Sequence, residues 1–454
     1  MRGTRASANE RGRGTGHVLT VLFIAAVWAT MSAAALGLVW RDGTAVPYMD
    51  DWEMVPALTG NQPVTFSFLW AQHNEHRIPL PKIIYLSLGW MTRGDLRAGM
   101  FFNTITLAVT ALLMLATAAK VRGRVHFSDA FFPIAVLNLS QYENLLWGFS
   151  IQLVLASALA CVVLSIVGRH GAPGARSALL LTVLLVCLAL SGASGLVFLP
   201  GMAIWLGWVG WRRVRSPGLS RNRGYLSEAC AGVLVILCVV YFSGYHRPAE
   251  SVPPESLGQA MRGSMAFLSV SLGLAGARAW PHSGWAMAAL WAATVGLVLR
   301  AWIVSPGERE RAGGLLAFLG GAAIVALAVG WGRSGYGEDT ILASRYVTLS
   351  LPLLCGLYLA WVAYAPRRTG LAVQTVLFLV VASLCYQNGA AGLAAGSYHQ
   401  ELMAPIQQAA ERGMAPGEIV ERFKNTPLYP DRRLLVQRLE MLRRTHMGPY
   451  RESR

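Results

Sequence analysis

Charge is the property that this sequence has least of. Only 14% of its 454 residues are charged, whereas 54% are apolar and the mean hydropathy is +0.44. Soluble domains carry about 25% charged residues, so the deficit excludes an ordinary soluble protein and indicates an integral membrane protein. Lysine is scarcer still, because only three of the 39 basic residues are lysine and the rest are arginine.

The net charge of +16 would suggest a nucleic-acid partner if the protein were soluble. In a membrane protein the excess needs no such partner, because arginines in short cytoplasmic loops are what orients the spans. We therefore expect membrane lipids, and no nucleic acid, around this chain.

Cysteine contributes six residues, all inside apolar runs, and no two of them form a Cys-x-x-Cys pair. This excludes a disulfide framework and a cysteine-based metal site, so the cysteines are predicted to be small core residues. A cleavable signal peptide is not predicted either. The first apolar run, residues 18–40, is about 23 residues long and ends in bulky residues, which favours an uncleaved membrane helix.

Long apolar runs are what the sequence does contain. Their spacing predicts an all-α, polytopic membrane protein with about 11 transmembrane helices within residues 18–388. The second and third of these spans are predicted at residues 98–119 and 127–139. The arginine distribution predicts a cytoplasmic N-terminus and an exterior C-terminus. Residues 1–17 are predicted to be a disordered basic cytoplasmic tail, and residues 264–277 to be re-entrant or peripheral rather than a span.

Two polar regions fall outside the membrane in this arrangement. The first exterior loop, residues 41–97, carries a short apolar segment at 80–90, which fits a helix lying on the membrane surface. Residues 389–454 form a short exterior tail with helical periodicity at 400–413 and 432–444. The tail is too small to bury a large core, so it is interpreted as a pendant helical segment.

An acidic pair, Asp50 and Asp51, lies about ten residues after the first span. A carboxylate at a membrane edge can take a proton from an acceptor hydroxyl, or hold a divalent cation against a phosphate. It can equally be a solvated turn, because Asp is common in turns. Trp52 follows directly and is either an interface anchor or a platform for a sugar ring. Either aspartate is a candidate catalytic base.

A cluster of ionisable residues follows in the same loop and comprises His73, Glu75, His76, Arg77 and Lys82. The two histidines are three residues apart and could ligate a metal from one helical face, but nearby prolines limit a helix there. Phosphate recognition fits better, with Arg77 as a planar donor fork, Lys82 as a point charge and a histidine as the proton source. A polar loop at the membrane interface is the alternative.

Two further exterior candidates come from distant parts of the chain. Arg345 begins a span at its exterior end, against the usual charge bias, so it is expected to meet an anion such as a lipid phosphate. Snorkelling to ordinary headgroups is the alternative. Glu143 lies in a short polar loop, which is either an acceptor-binding edge or a simple connection. The predicted topology brings all these candidates to one exterior face.

The loop also holds an ordered series of features. The segment 76–81, His-Arg-Ile-Pro-Leu-Pro, is followed by an apolar run at 83–90, then by Gly94 and by Arg97 just before the second span. With the acidic pair at the start of the loop, this resembles the GT-C class of multi-spanning glycosyltransferases. The order of features after the acidic pair distantly resembles protein O-mannosyltransferases and lipid A aminoarabinose transferases. The resemblance covers roughly residues 18–120, and the remainder matches in hydropathy only.

That resemblance implies a polyprenyl-phosphate-linked sugar donor and transfer on the exterior face. It also implies an Asp as general base, carried onto Asp50 or Asp51, and basic residues on the donor phosphate. The His/Glu cluster is denser than the class pattern, so its role is not inherited. The exterior tail is smaller than the exterior domains of many members, which puts acceptor recognition in doubt.

The sequence thus predicts a glycosyltransferase of a bacterial inner membrane with a glycan, lipid or protein acceptor. No cofactor is assigned, and a divalent cation at the acidic pair is left open. The main alternative is a transporter or flippase of a lipid-linked intermediate. It would carry ionisable groups in mid-span, and the predicted spans are nearly free of charge. A non-catalytic scaffold that docks through its tail is a further alternative.

Overall fold

The computed structural model describes residues 3–169, 173–216, 220–249 and 251–451, with side chains from residue 16 onward. All regular secondary structure in this part of the chain is helical, and its β-type pairing is limited to one isolated bridge between His73 and His76. The α-helices, joined in places by short 3-10 turns, are α1 (Gly3–Asp42), α2 (Asp51–Leu58), α3 (Phe66–Trp70), α4 (Pro79–Met91), α5 (Arg97–Arg122), α6 (Phe131–Val136), α7 (Tyr142–Leu146), α8 (Ile151–Arg169), α9 (Ala175–Ala189), α10 (Ala193–Leu196), α11 (Leu199–Arg215), α12 (Arg221–Phe242), α13 (Leu257–Ser269), α14 (Leu274–Arg278), α15 (His282–Val304), α16 (Arg309–Arg333), α17 (Glu338–Ile341), α18 (Arg345–Tyr364), α19 (Arg367–Glu411), α20 (Pro416–Arg422) and α21 (Arg432–Thr445).

Nine helical stretches in the described residues are long and apolar enough to cross a membrane. They contain α1, α5, α8, α11, α12, α15, α16, α18 and α19, while α9 is apolar but only 15 residues long. α18 lies at the centre and is almost wholly buried against its neighbours. The all-α polytopic fold is therefore confirmed, and the predicted total of about 11 spans stays a prediction.

The stretch predicted as a third span, residues 127–139, consists of a 3-10 turn, the short helix α6 and the start of a second 3-10 turn, and the short helix α7 follows it. These pieces are buried among the long helices, and polar side chains satisfy the backbone groups that the breaks release. Asn138 accepts a hydrogen bond from the Ser140 amide at 3.0 Å, and Gln141 donates to the Val136 carbonyl at 2.7 Å. Irregular backbone is tolerated at membrane depth where it is buried in protein.

A single helix, α19, replaces the predicted last span and the first helix of the tail. It is 45 residues long, so the predicted boundary between residues 388 and 389 lies inside a continuous helix. The stretch is polar near Asn388, but it holds no proline before Pro405, and its many alanines favour the helix. At the other end of the chain, α1 already includes residues 3–17, which the composition predicts to be disordered.

The segment 257–280 begins and ends at one side of the helix bundle. Arg262 of α13 forms an ion pair with Glu338, and the indole of Trp280, after α14, donates to the same carboxylate at 3.2 Å. Between these two points the backbone reaches Asn388, whose side chain both accepts from it and donates to it. Because Arg262 near its start and Trp280 at its end both contact Glu338, the segment is a hairpin.

The C-terminal unit, residues 412–451, folds back onto the first exterior loop. α20 and α21 pack with the end of α19 and with α2, and Trp52 is fully buried in the core that they share. The Gly448 amide donates to the Arg93 carbonyl at 3.1 Å. The unit therefore covers α2 and is not a pendant segment, because the apolar faces of its helices find a partner in the loop.

Candidate functional site

The acidic pair divides into a buried residue and a cavity-facing residue. Asp51 is 1% exposed and accepts hydrogen bonds from the Tyr48 amide at 3.0 Å and the Tyr85 hydroxyl at 2.7 Å. Burial raises the pKa of its carboxyl to about 7. Asp50 lines a cavity of about 490 Å³, whereas Trp52 is buried under the C-terminal unit. Of the three neighbours, Asp50 is the one in contact with the cavity.

A tight turn presents the histidine cluster. His73 and His76 exchange backbone hydrogen bonds of 2.7 and 2.8 Å, so these residues form a closed turn and not a helical face. Asn74 inside the turn has a φ of 48°, and Met49 before Asp50 has a φ of 49°. Such backbone costs about 1–2 kcal/mol for a non-glycine residue, and it is often retained at functional sites.

The His73 ring lies between two carboxylates of the acidic segment. Its Nε2 is 3.2 Å from Asp50 and its Nδ1 is 3.1 Å from Glu53, while its edge packs on Phe149. Burial opposes protonation, but the hydrogen bonds to Asp50 and Glu53 outweigh it and raise the pKa of His73 to about 9. At neutral pH the ring is therefore a buried cation.

Each of two arginines in the cavity is held by a carboxylate. Arg333 makes paired hydrogen bonds of 3.0 and 3.1 Å with Glu75, and a further one of 3.1 Å with the Tyr346 hydroxyl. Arg345 donates to Glu143 at 3.1 Å. Burial tends to raise the pKa of Glu75, but the Arg333 guanidinium outweighs this and lowers it. These pairs fix the orientation of both guanidinium groups.

His76 differs from His73 in its electrostatic surroundings. Burial, together with the nearby Arg333, lowers the pKa of His76 to about 4, although Glu75 acts in the opposite direction. The ring is therefore neutral, and within the described residues its buried Nδ1 makes no hydrogen bond. His76 thus offers one neutral ring nitrogen that a ligand could satisfy.

These side chains meet in one cavity of about 490 Å³, whose polar part is lined by Asp50, His73, Glu75, His76, Arg333 and Arg345. The rest of the wall is largely apolar and includes Leu153, Leu196, Val197, Val325, Val329 and Leu349. Phe242 and Trp331 also line it and are 57% and 56% exposed, so the cavity reaches the outer surface between α12 and α16. A ligand with a polar head and an apolar chain fits such a cavity.

Arg77 and Lys82, both predicted to bind phosphate, lie outside the cavity lining and donate to backbone carbonyls. Lys82 donates to two carbonyls at the end of α3, both at 3.0 Å, and burial lowers its pKa to about 8. Both cations hold α3 in place, and Arg77 also holds the end of α12. The Arg77 guanidinium makes hydrogen bonds of 2.7–2.9 Å to Trp70, Tyr241 and Ser243.

Two arginines on the cavity were given no role in the sequence analysis, although Arg333 is one of the ionisable residues on the predicted exterior side. Arg333 ends α16, and Arg247 lies in the loop after α12. Both fall on the predicted exterior side, where arginine opposes the usual charge bias, so the signal that indicated Arg345 could have found them. The Gln72 side chain holds this loop to the histidine turn by hydrogen bonds of 2.6 and 3.2 Å to the backbone of His246.

A metal site was left open by the acidic pair. Within the described ranges, no group of three or more His, Cys, Asp or Glu side chains is arranged to hold a metal ion. Asp50 and Asp51 do not act as a pair, because Asp51 is buried and occupied by Tyr48 and Tyr85.

No protein-family model matches the sequence, and no curated protein matches it significantly. Among solved structures, the fold is similar to a crystal structure of the Archaeoglobus fulgidus oligosaccharyltransferase tethered to an acceptor peptide. The identity is 12%, the TM-score is 0.42, and the alignment covers 90% of this chain and 59% of that chain. This chain therefore spans less than two thirds of the length of that enzyme. A likeness at this level carries no argument about function.

Proposed function

We propose that this protein is a membrane glycosyltransferase that moves a sugar from a lipid-phosphate donor to a hydroxyl group of a glycan, lipid or protein acceptor. The observation that carries the proposal is the composition of one cavity. It joins a carboxylate, two oriented arginines and an apolar wall that opens at the surface of two membrane helices. A lipid-linked phosphate sugar needs each of these three features.

Asp50 is the catalytic base in this proposal. Its carboxylate removes the proton of the acceptor group, whose freed electron pair then attacks the anomeric carbon of the sugar. As that bond forms, the bond between the anomeric carbon and the phosphate oxygen breaks, and the lipid phosphate leaves with the electron pair. Asp51 is a weaker candidate, because it is buried and holds Tyr85 and the Tyr48 amide.

Arg333 and Arg345 bind the donor phosphate and stabilise its charge as it departs. Guanidinium groups suit this role because they present several fixed donors to phosphate oxygens. Glu75 and Glu143 hold them in orientation, and each leaves part of its partner's donor set for a ligand. Preorganised donors of this kind are usually a large part of catalysis of charge-separating steps.

The GT-C resemblance of residues 18–120 supports a finer statement of the donor and the compartment. It favours a polyprenyl-phosphate sugar, with transfer at the exterior face of a bacterial inner membrane. Glu75 and His76 then contribute to the polar part of the donor site, Glu143 contributes through Arg345, and His73 lies beside Asp50 at its edge. Arg77, Lys82 and Trp52 support the loop that carries the site.

The test is sugar transfer by the purified protein in nanodiscs, with pooled polyprenyl-phosphate sugars as donors. We expect Asp50→Asn to lower kcat by about 100-fold or more, as loss of a general base does. Arg333→Gln and Arg345→Gln should raise KM for the donor and lower kcat. Asp339→Asn, an exposed exterior acid outside the cavity lining, is the matched control and should transfer at the wild-type rate.

Two results would count against the proposal. If Asp50→Asn transfers as fast as wild type, the assigned base is incorrect. If no donor is turned over or hydrolysed, yet labelled donor binds in an Arg345-dependent manner, a transporter of lipid-linked intermediates is the better description.

A further inference from the structure

Asp50, His73 and Glu53 form a defined unit in which one ring lies between two carboxylates. Asp50 and Glu53 are three residues apart at the start of α2, so their side chains emerge on one face. The His73 ring occupies the space between them, at 3.2 Å from one carboxylate and 3.1 Å from the other. The ring is 5% exposed, and Phe149 packs against it.

These two contacts determine the protonation state of the His73 ring. An ionised carboxylate only accepts hydrogen bonds, so a ring nitrogen that faces one must carry a hydrogen. Both nitrogens of His73 face carboxylates, so the ring carries two hydrogens and one positive charge. It thereby offsets the repulsion that Asp50 and Glu53 would otherwise exert on each other.

The position of His73 is fixed independently of the two carboxylates. Its backbone is closed in the turn with His76, and the Gln72 side chain fastens this turn to the loop after α12. Because the ring is attached to this closed backbone and packs on Phe149, it restricts where the Asp50 carboxylate can lie. Asp50 in turn is 29% exposed in its side chain and lines the cavity.

We propose that His73 is a positioning residue that holds the Asp50 carboxylate and serves as the cation of this site, so that transfer proceeds without a divalent metal. The inference rests on the proposed function, because it assumes that Asp50 is the base. A ring with hydrogens on both nitrogens has no lone pair to give to a metal. The facing oxygens of Asp50 and Glu53 are engaged by the same ring, so the donor set does not fit a metal ion.

The first experiment measures transfer in the presence of EDTA and after addition of Mg²⁺ or Mn²⁺. Wild-type protein should keep its rate in EDTA and gain nothing from either metal. Loss of transfer in EDTA with recovery in Mn²⁺ would overturn the inference while leaving the glycosyltransferase proposal intact. Absence of transfer under every condition would instead count against the proposed function.

Two substitutions separate charge from hydrogen bonding at His73. His73→Gln supplies a neutral donor near the former Nε2 and Asp50, whereas His73→Asn supplies one near the former Nδ1 and Glu53. We expect kcat to fall about 10- to 100-fold in His73→Gln, with the donor KM within about two-fold, and to fall further in His73→Asn. Equal rates for wild type and His73→Gln would show that the positive charge is not needed.

The pH dependence of thermal stability tests the same unit in the absence of the sugar donor. The groups facing His73 are Asp50 and Glu53 from α2 and His76 from its own turn, and Lys82 lies near Glu53. Because folding raises the pKa of His73 to about 9, its stabilising contribution is complete below about pH 6.5 and is lost as the pH rises through about 9. The unfolding temperature of the detergent-solubilised wild-type protein should fall over this pH range. In Glu53→Gln the fall should occur at lower pH, and in His73→Gln it should be absent. A loss that persists in His73→Gln contradicts the assignment.

Discussion

At the scale of single residues, Arg77 is the buried cation on which the first exterior loop depends. It is 5% exposed, and its guanidinium is surrounded by three carbonyl oxygens. We expect Arg77→Gln to lower the free energy of unfolding by about 3 kcal/mol or more, because hydrogen bonds to a charged group are lost. Thermal unfolding in detergent measures the loss, and the donor KM of the folded fraction should stay near wild type.

Arg124→Gln is the control for this substitution, because Arg124 is an exposed arginine elsewhere in the chain and should leave stability unchanged. An Arg77 variant with wild-type stability that no longer binds the sugar donor would instead indicate that Arg77 binds the donor phosphate. The sequence identifies Arg77 as an unusual exterior cation, but it does not identify its partner. The Tyr241 carbonyl is 164 residues away in sequence, so the contact depends on how helices pack.

At the scale of elements, one close approach joins the C-terminal unit to the turn between α4 and α5. Gly94 has a φ of 78°, and a Cβ there would lie 2.7 Å from the Gly448 amide nitrogen. Gly94→Ala should therefore displace the unit, expose residues 412–451 to trypsin, and slow transfer by loosening α2 beside Asp50. Limited proteolysis and a transfer assay measure the two effects.

Gly60→Ala separates backbone strain from this contact. Gly60 has a φ of 75°, so alanine there should cost about 1–2 kcal/mol of backbone strain, as at Gly94. Unlike at Gly94, nothing lies within 4 Å of the added Cβ. We expect the tail of that variant to resist trypsin as in wild type. Equal cleavage of both alanine variants would mean that the contact with Gly448 does not hold the unit.

Elements differ in how far the sequence predicts them. The predicted span at 98–119 and surface helix at 80–90 correspond to α5 and α4 within a few residues, because length and hydropathy are local properties. The broken stretch after α5 was predicted as one span, because its polar breaks are stable only when other helices bury them. The continuity of α19 was also missed, since a polar Ala/Gly stretch is compatible with helix or loop.

At the scale of the whole molecule, the sequence predicted an exterior face with converging ionisable groups, and the cavity does collect most of them. Asp50, His73, Glu75, His76 and Arg345 line it. What could not be predicted is the pairing of charges, because partners such as Glu75 and Arg333 are 258 residues apart. The choice between Asp50 and Asp51 likewise depends on burial, because the Asp50 side chain is 29% exposed whereas Asp51 is 1% exposed.

The continuity of α19 has a consequence for how the protein responds to its lipid environment. At 45 residues it is about 67 Å long, more than twice the roughly 30 Å of hydrocarbon in a bilayer. One continuous helix therefore connects the helix bundle in the bilayer to the C-terminal unit that covers α2. We expect the transfer rate in nanodiscs to pass through a maximum as lipid acyl chains are lengthened, because hydrophobic mismatch tilts α19 and shifts the C-terminal unit. A rate that is indifferent to chain length would mean that the two halves of α19 move separately. A maximum would instead add membrane thickness to pH and substrate as variables to which this protein responds.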